Sequence, residues 1–268
     1  MQIPDPHSYT DLRQGQIKHI NFRLVVDFVE RCIKVHADYL MAEPVSGSLF
    51  LDTRDLKITR VYRDDQEILW EIDQHDSILG DRLHLKDLDA LSEFTLEMTT
   101  SPGASALQWV TPMQTAGGEH PFLYSQCQAI HARSIFPCQD SPSVRFTYEA
   151  IVEVQRPLVA VMAAEHLGTE HSGDTSLYRY RMPQPIPSYL FGIAVGNIAF
   201  EELGPHTGVY SEPEILESAA WEFADNEKKL VEAEKLFGPY LWDRYDVLIL
   251  PPSFPYGGME NPRLTFLT

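Results

Sequence analysis

Apolar and polar residues alternate along several stretches of this 268-residue chain. The clearest alternation places an apolar residue at every second position from Val144 to Val154. A period of two is the spacing of side chains that share one face of a β-strand, so this stretch is predicted to be a strand. Two further alternating runs, 22–29 and 33–41, flank the charged pair Glu30-Arg31 and predict an antiparallel hairpin. The chain is therefore predicted to fold mainly as antiparallel β-sheet.

Other segments carry weaker signals. The first 16 residues are polar and contain proline, which predicts an extended arm. Leu49–Thr53 is predicted as a short separate strand in which Asp52 takes a turn role. The polar segment Glu165–Asp174 contains glycines and is predicted as a hairpin loop. The apolar run Tyr189–Ile198 is predicted as a long buried strand.

Near residue 200 the pattern changes from period two to helical spacing. Ser211–Glu214 has the form of a capping box with an early proline, and Gly238-Pro239 is a helix stop. Apolar residues between Leu216 and Phe237 recur at helical spacing, which predicts one long helix bracketed by strands near 207–210 and 246–250. We therefore expect a β-rich domain over residues 1–200 and the start of an α/β domain over 201–268.

Composition narrows the class of protein. Hydrophobic residues make up 44% of the chain, which is enough for a sizeable core. The sequence has no apolar run of membrane-spanning length, and Met1–Ser8 lacks the features of a signal peptide, so we expect a cytoplasmic protein without membrane contact. With 21 Lys and Arg against 39 Asp and Glu, the net charge of −18 would repel nucleic acid.

Two clusters superficially resemble metal or nucleophile sites. Cys127, Cys138 and His131 match no zinc-ligand spacing, and three cysteines provide no disulfide framework. His166 and His171 stand five residues apart in a glycine-bearing segment, whereas a zinc helix requires two histidines four residues apart. We therefore expect neither cluster to hold a metal or to act as a nucleophile.

The stretch from 251 to 263 is the best candidate for function. It follows the apolar run Val247–Leu250, which predicts a buried strand that the next two prolines end. The pair Gly257-Gly258 permits close approach of another molecule to the backbone, and Glu260 follows directly. From the residues alone, Glu260 is either a group that reads a ligand at the end of a strand or a solvated acid on a surface turn.

Tyr256–Asn261 resembles the GGMEN exopeptidase motif (GAMEN in other members) of the zinc aminopeptidases. The flanks Pro252–Pro255 and Pro262–Phe266 are similar to the branch that holds leukotriene A(4) hydrolase and aminopeptidase B. A second block, Ser125–His131 followed by Phe136–Val144, resembles the same branch and comes in the family's order.

The resemblance implies a saddle-like antiparallel β-domain followed by the beginning of a thermolysin-like domain. It implies that Glu260 binds the substrate's free amino terminus, with help from Gln126 and Gln128. Gly257 and Gly258 would offer backbone groups to the substrate, while Tyr256 and Met259 would shape the pocket wall. The zinc and its helix would lie downstream, because the sequence contains no His-Glu-x-x-His. We therefore expect a truncated, inactive N-terminal portion of a monomeric zinc aminopeptidase that acts on peptides.

Two other functions stay open at this point. The chain could be a noncatalytic β-rich binding or scaffold module, or its full-length protein could also hydrolyse a lipid epoxide, as one branch of the family does. The sequence here contains too little of the substrate pocket to separate these functions or to define the preferred first residue.

Overall fold

The computed structural model describes residues 5–268, which form three β-sheets and two α-helices. In chain order the strands are β1 (Ile17–Asp27), β2 (Cys32–Thr53), β3 (Lys57–Arg63), β4 (Gln66–Glu67), β5 (Trp70–Asp76), β6 (Gly80–Thr99), β7 (Leu107–Val110), β8 (Phe122–Ser125), β9 (Phe146–Gln155), β10 (Val159–Met162), β11 (Glu165–Ser172), β12 (Thr175–Ile186), β13 (Ile193–Gly196), β14 (Ala199–Gly204), β15 (Thr207–Ser211), β16 (Tyr245–Ile249), β17 (Gly258–Met259) and β18 (Leu264–Leu267). The helices α1 (Pro213–Phe223) and α2 (Asn226–Phe237) lie between β15 and β16.

A nine-stranded sheet contains most of the first half of the chain. Its strand order is β11-β12-β9-β1-β2-β6-β3-β4, and β5 pairs with β6. The predicted hairpin is confirmed, since β1 and β2 pair antiparallel with Val26 opposite Ile33. The long alternation is confirmed as β9, which pairs parallel to β1 and antiparallel to β12. Alternate side chains of these strands are buried in one apolar cluster, which explains their period of two.

Two smaller sheets complete the fold. β10, β13, β8 and β7 form a four-stranded sheet in that order, and β14, β15, β16, β18 and β17 form a five-stranded sheet. Both helices pack on the five-stranded sheet. α1 contacts β14 and β15, with Ala219 and Ala220 against Val209, and α2 contacts β14. The predicted mostly-β fold with a smaller α/β part is confirmed.

Several local predictions are wrong. Leu49–Thr53 is not a separate strand, because it is the far end of the 22-residue β2, whose pairing with β6 shifts register between Leu40 and Leu49. Glu165–Asp174 is not a loop, because Glu165–Ser172 forms the edge strand β11, with a register shift near Gly168. Of the run Tyr189–Ile198, only Ile193–Gly196 is a strand.

The single predicted helix is two helices. α1 ends at Phe223, and α2 begins after Asp225. The predicted capping box does not form, since Glu212 is the N-cap of α1 and no side chain caps this helix end. The Glu212 carboxylate instead accepts hydrogen bonds from the backbone N–H of Ala116, at 2.9 and 3.1 Å. The carboxylate therefore contacts the loop between β7 and β8 instead of its own helix.

Asp52 has no turn role, because it lies in a fully buried charged network. The side chain of Arg133 is also fully buried, and its Nε donates to Asp140 Oδ2 at 2.9 Å. Its Nη1 lies 3.7 Å from Asp52 Oδ1. The carboxylate of Asp52 accepts from the backbone N–H of Asp140 at 2.9 Å and of Tyr9 at 2.7 Å. Ser188 Oγ donates to the other oxygen of Asp140 at 2.5 Å.

The same network fixes the start of the chain. Residues 1–4 of the predicted arm lie outside the described residues, and residues 5–16 contain turns but no strand. Arg133 Nη2 donates to the backbone carbonyl of His7 at 2.8 Å. Ser8 Oγ donates to Asp52 Oδ2 at 2.5 Å. The arm is therefore tied to the buried charges by both main-chain and side-chain bonds.

Membrane-spanning helices are absent from residues 5–268. The two α-helices have 11 and 12 residues, and neither is long and apolar enough to cross a bilayer.

We expect Arg133→Ala to lower the free energy of unfolding by about 3–5 kcal/mol, because it leaves two buried carboxylates without their cation. Urea denaturation followed by circular dichroism measures this loss. The matched control is Arg23→Ala, which removes an exposed pair with Glu153 at 3.3 Å and should barely change the midpoint. Equal effects of the two substitutions would contradict a structural role for the network.

Candidate functional site

The candidate motif forms the edge of the five-stranded sheet. After β16 the chain makes a proline-rich loop and returns as β17, which pairs antiparallel with β18. Gly258 lies opposite Leu267, and Met259 lies opposite Phe266. Because β17 has a neighbour on only one side, its other side is an open edge that can pair with an extended chain.

Buried and exposed residues alternate at the end of the motif. Met259 and Asn261 are buried, with 1% and 4% of their surface exposed, whereas Glu260 between them is exposed. Met259 packs in an apolar cluster with Leu264 and Phe266. Buried neighbours on both sides hold the backbone at Glu260, while its own side chain stays outside the packed core. Tyr256, with 52% of its surface exposed, also lies at the surface.

The two glycines differ in their surroundings. A Cβ at Gly258 would lie 2.8 Å from Leu267 Cδ2 and 3.3 Å from the Phe266 carbonyl oxygen, so a side chain would push β17 from β18. A Cβ at Gly257 would have no atom within 4 Å, so the surface over this residue is open. Packing therefore accounts for Gly258, whereas Gly257 leaves its backbone open to another molecule.

The Glu260 carboxylate has no protein partner. Within residues 5–268 it accepts no hydrogen bond and forms no ion pair. It is the one acid of the motif, and it stands beside the open edge of β17. Such a carboxylate can accept charge-assisted hydrogen bonds from a cation that reaches this edge.

The two candidate glutamines follow β8. The backbone N–H of Gln126 donates to Ala106 at 2.8 Å, which extends the pairing of β8 with the β7 side by one residue. Gln126 is half-buried and Gln128 is exposed. The Gln128 N–H lies 3.5 Å from Gln126 Oε1, so the two residues are neighbours in one turn.

Hydrogen bonds of His131 hold the loop between β8 and β9 in place. His131 N–H donates to the Cys127 carbonyl at 2.9 Å, and His131 Nδ1 lies 2.9 Å from Ser105 Oγ. Cys127 and Cys138 are buried, and burial raises the pKa of both thiols, so they stay protonated. The thiolate is the form that binds metals and attacks as a nucleophile, so burial keeps both thiols in their unreactive form.

The glutamine loop and the motif meet at the same seam between sheets. The Tyr124 ring packs edge-on against Phe254, with centroids 5.5 Å apart, and its hydroxyl lies 3.3 Å from Ser253 Oγ. Asn261 lies against Gly192, where an added Cβ would come within 3.1 Å of Asn261 Nδ2. Within residues 5–268 no direct hydrogen bond joins either glutamine to Glu260. The fold therefore brings the two stretches to one seam without direct contact of their polar groups.

Clusters with metal-binding residue types have other partners. Glu71, Asp73 and His84 have ligand atoms within 4.8 Å of one another, and they form the one such group of three in residues 5–268. Arg82 forms two hydrogen bonds to Asp73, at 2.7 and 2.8 Å, and Lys86 pairs with Glu71. These cations already neutralise the acids, so the cluster is a surface ion-pair network.

His166 and His171, the histidine pair noted in the sequence, also have separate partners. His166 Nε2 lies 3.0 Å from Thr169 Oγ1, and its ring packs near Tyr180 at 5.2 Å. His171 Nδ1 instead lies 2.8 Å from Ser176 Oγ. The two rings, both on β11, therefore have different polar partners, Thr169 on β11 and Ser176 on β12.

Comparison with known proteins identifies the family. Residues 19–190 match the family described as the peptidase M1 N-terminal domain. The chain belongs to the peptidase M1 family. Leukotriene A-4 hydrolase of Xenopus laevis is 43% identical over 99% of this chain, and leucine aminopeptidase 2 of Pyricularia oryzae is 37% identical over 100% of it. The predicted resemblance is confirmed.

Solved structures agree with this family. Yeast leukotriene A4 hydrolase in complex with bestatin is 34% identical and superposes with a TM-score of 0.90 over 99% of this chain. The fold also matches an M1 zinc metallopeptidase from Deinococcus radiodurans, with a TM-score of 0.75 at 17% identity. This M1 chain spans 45% of the length of the two curated relatives and 42% of the yeast structure.

Sequence reasoning missed two parts of the site. Arg133 was detectable as the one charged residue in Ala132–Cys138, but its local sequence does not indicate its partners. Tyr124 and Phe254 have no signal beyond hydrophobicity, because the contact between them depends on how two sheets pack.

We expect the stability of this M1 chain to fall as the pH drops from 7 toward 5, in part through His131. Partial burial holds the pKa of His131 below its ordinary value of 6.5. The unfolded chain therefore binds this proton more readily, and unfolding takes up a proton below that pH. Thermal unfolding of the natural chain and of His131→Gln at several pH values measures the effect. The variant should show a smaller loss between pH 7 and pH 5, and an equal loss would contradict this origin.

Proposed function

We propose that this chain is the N-terminal portion of a zinc-dependent aminopeptidase that removes N-terminal residues from peptides. In this proposal the chain recognises the substrate's free amino terminus, and other parts of the full-length protein break the bond. The observation that carries the proposal is the exposed carboxylate of Glu260, which has no hydrogen-bond or ion-pair partner within residues 5–268 and is held between two buried residues at an open sheet edge.

Ammonium recognition follows from the chemistry of the motif. A carboxylate binds an ammonium group through charge-assisted hydrogen bonds, which are shorter and stronger than neutral ones. The neighbouring edge of β17 can pair with the backbone of an extended peptide, as other strand-edge binding sites do. Glu260 would then fix the amino end, and the first peptide bond would lie one residue away. Tyr256 would line this end of the site, Gly257 would leave its backbone accessible, and Gly258 would let β17 pair closely with β18.

The glutamines would complete the amine site from the other sheet. Gln126 follows Tyr124 by two residues along an extended backbone, so strand alternation puts both side chains on one face. Tyr124 on that face packs against the loop that leads to Glu260. An amide oxygen from Gln126 or Gln128 can accept an ammonium hydrogen without adding charge. The two carboxylate oxygens of Glu260 and one such amide oxygen would supply three acceptors for the three hydrogens of the ammonium group.

The residues of this chain do not fit a zinc site. Structural and catalytic zinc sites use three or four free N, S or O ligands, whereas the Glu71, Asp73 and His84 group is already paired with Arg82 and Lys86. We therefore propose that the zinc of the full-length protein is held by residues outside this chain. The role derived for the present residues is binding and orientation of the peptide.

Domain organisation, location and assembly are further parts of the proposal. We propose a β-domain over residues 1–200 and a peptidase domain that begins at 201. This boundary lies within two residues of Ala199, where β14 starts the third sheet after the two sheets of β1 to β13. A cytoplasmic location fits three buried cysteines without a disulfide. A net charge of −18 favours cationic amino termini over nucleic acid and supports a monomer.

A second candidate activity is hydrolysis of a lipid epoxide. It is favoured by the 43% identity to leukotriene A-4 hydrolase of Xenopus laevis. The noncatalytic scaffold is the third candidate, because the described residues contain no zinc-ligand set. The sequence that follows Thr268 in the natural protein distinguishes these candidates, since a His-Glu-x-x-His helix and a later Glu favour an enzyme.

We expect the full-length protein to cleave aminoacyl arylamides and to lose this activity with a metal chelator. Activity should return when zinc is added back after removal of the chelator. Release of the arylamine, followed by absorbance, measures the rate. Cleavage that is insensitive to the chelator, or no cleavage, would contradict the proposal, and turnover of a lipid epoxide alone would favour the second candidate.

We expect Glu260→Ala in the full-length protein to lower kcat/KM on aminoacyl arylamides by roughly 10²- to 10³-fold, because a cation loses its charged partner in a partly enclosed site. The kcat/KM of Glu260→Gln should lie between that of Glu260→Ala and that of the natural protein, since an amide accepts hydrogen bonds without charge. Glu217→Ala, which removes an exposed acid from α1, is the control and should leave the rate unchanged. Unchanged turnover in Glu260→Ala would remove Glu260 from this role.

A further inference from the structure

The proposed amine site draws its groups from two sheets, so something must fix the distance between them. Gln126 and Gln128 follow β8 of the four-stranded sheet, while Glu260 follows β17 of the five-stranded sheet. No backbone ladder joins these two sheets within residues 5–268. Side-chain packing across the seam therefore sets the separation of the groups.

One end of the motif is already fixed by its own sheet. β17 is bonded to β18, Met259 is buried, and Asn261 lies against Gly192. The other end, which carries Tyr256 and Gly257, precedes the ladder. Its one side-chain hydrogen bond in the described residues is donated by Thr268 Oγ1 to the Tyr256 carbonyl at 3.3 Å. This end requires another anchor.

Phe254 is the residue placed to supply that anchor. Among residues 252–258 it alone is buried, with 4% of its surface exposed. Its ring packs edge-on against two tyrosines, Tyr124 at 5.5 Å and Tyr256 at 5.8 Å between centroids. Tyr124 lies two residues before Gln126, and Tyr256 lies directly before Gly257. One ring thus connects the strand that carries the glutamines to the start of the motif.

The geometry of the three rings favours a fixed spacing. The planes of Tyr124 and Phe254 meet at 84°, and those of Phe254 and Tyr256 at 71°. Such edge-to-face pairs are specific in distance and angle because the positive edge of one ring faces the negative face of the other. The turn before Phe254 is also closed, since its N–H donates to the Pro251 carbonyl at 3.0 Å.

We propose that Phe254 is a positioning residue that sets the separation between Glu260 and the two glutamines, and so determines how well the site recognises a free amino terminus. This inference rests on the proposed function and extends it. Phe254 touches no substrate, and it acts through Tyr124 and Tyr256. Loss of its ring would loosen the amine end of the site and leave groups held elsewhere in place.

The test compares two inhibitors that differ only in the amino group. Leucine hydroxamate carries the free amine, and 4-methylpentanohydroxamic acid lacks it, while the hydroxamate of each binds the metal end. On the full-length protein, amine recognition is measured as a ratio, in which the inhibition constant of the compound without the amine is divided by that of leucine hydroxamate. The ratio should fall by on the order of tenfold or more in Phe254→Leu, since a misplacement of about 1 Å costs roughly 10²-fold. The inhibition constant of the compound without the amine should stay unchanged.

The control is Phe94→Leu, which removes a comparably buried ring, stacked on Tyr39 at 4.7 Å in the nine-stranded sheet. It should lower the melting temperature without changing the ratio. Phe254→Met, whose flexible side chain fills irregular gaps in a core more readily than leucine, is the second test variant if Phe254→Leu does not fold. Equal weakening of both inhibitors, or an unchanged ratio, would overturn the positioning role. A ratio near one in the natural protein would instead contradict the proposed amine site.

Discussion

The buried guanidinium of Arg133 is the interaction on which the arrangement of this chain most depends. It bonds Asp140 and the carbonyls of His7 and Leu79, and it lies near Asp52. These partners come from the arm, from β2, from the turn between β5 and β6, and from the loop after β8. Backbone bonds between Asp52 and Cys138 join β2 to that loop, and the guanidinium adds the arm and the turn to them. A buried cation can be stable only when its partners remain in place, so each partner's position depends on the others. The loop that carries Gln126 and Gln128 is fixed at its far end by this network.

The second constraint is the seam between the four- and five-stranded sheets. Apolar side chains from both sheets form one cluster that includes Tyr124, Phe254, Met259 and Phe266. This packing puts two stretches about 130 residues apart in the chain at one place, as the Tyr124 to Ser253 contact shows. Polar groups beside such a seam need no bond to each other to be held, because the core beneath them is rigid. A binding site can therefore be open to solvent and still have a defined geometry.

The sequence predicts those parts of the molecule whose cause is local. The hairpin of β1 and β2 and the strand β9 follow from alternation, and the family follows from the stretch around Glu260. Predictions fail where a contact with residues far away in the sequence determines the local structure. Asp52 looks like a turn residue until Arg133 and Asp140 are brought beside it. β11 has the polar composition of a loop, yet it pairs with β12 at a sheet edge where few of its side chains need burial. The helix break at Asp225-Asn226 does have a local signal, since both residues favour an N-cap position.

The open edge of β17 has a consequence for self-association. An unpaired strand can recruit a second copy of its own chain and start aggregation. Here the strand has only two residues, and Pro255 and Pro262 stand on either side of it. Prolines lack the N–H that a growing sheet requires, and the acid at position 260 would repel the same acid of another copy. The edge is thus too short and too charged to start a fibre, although one side of it is open.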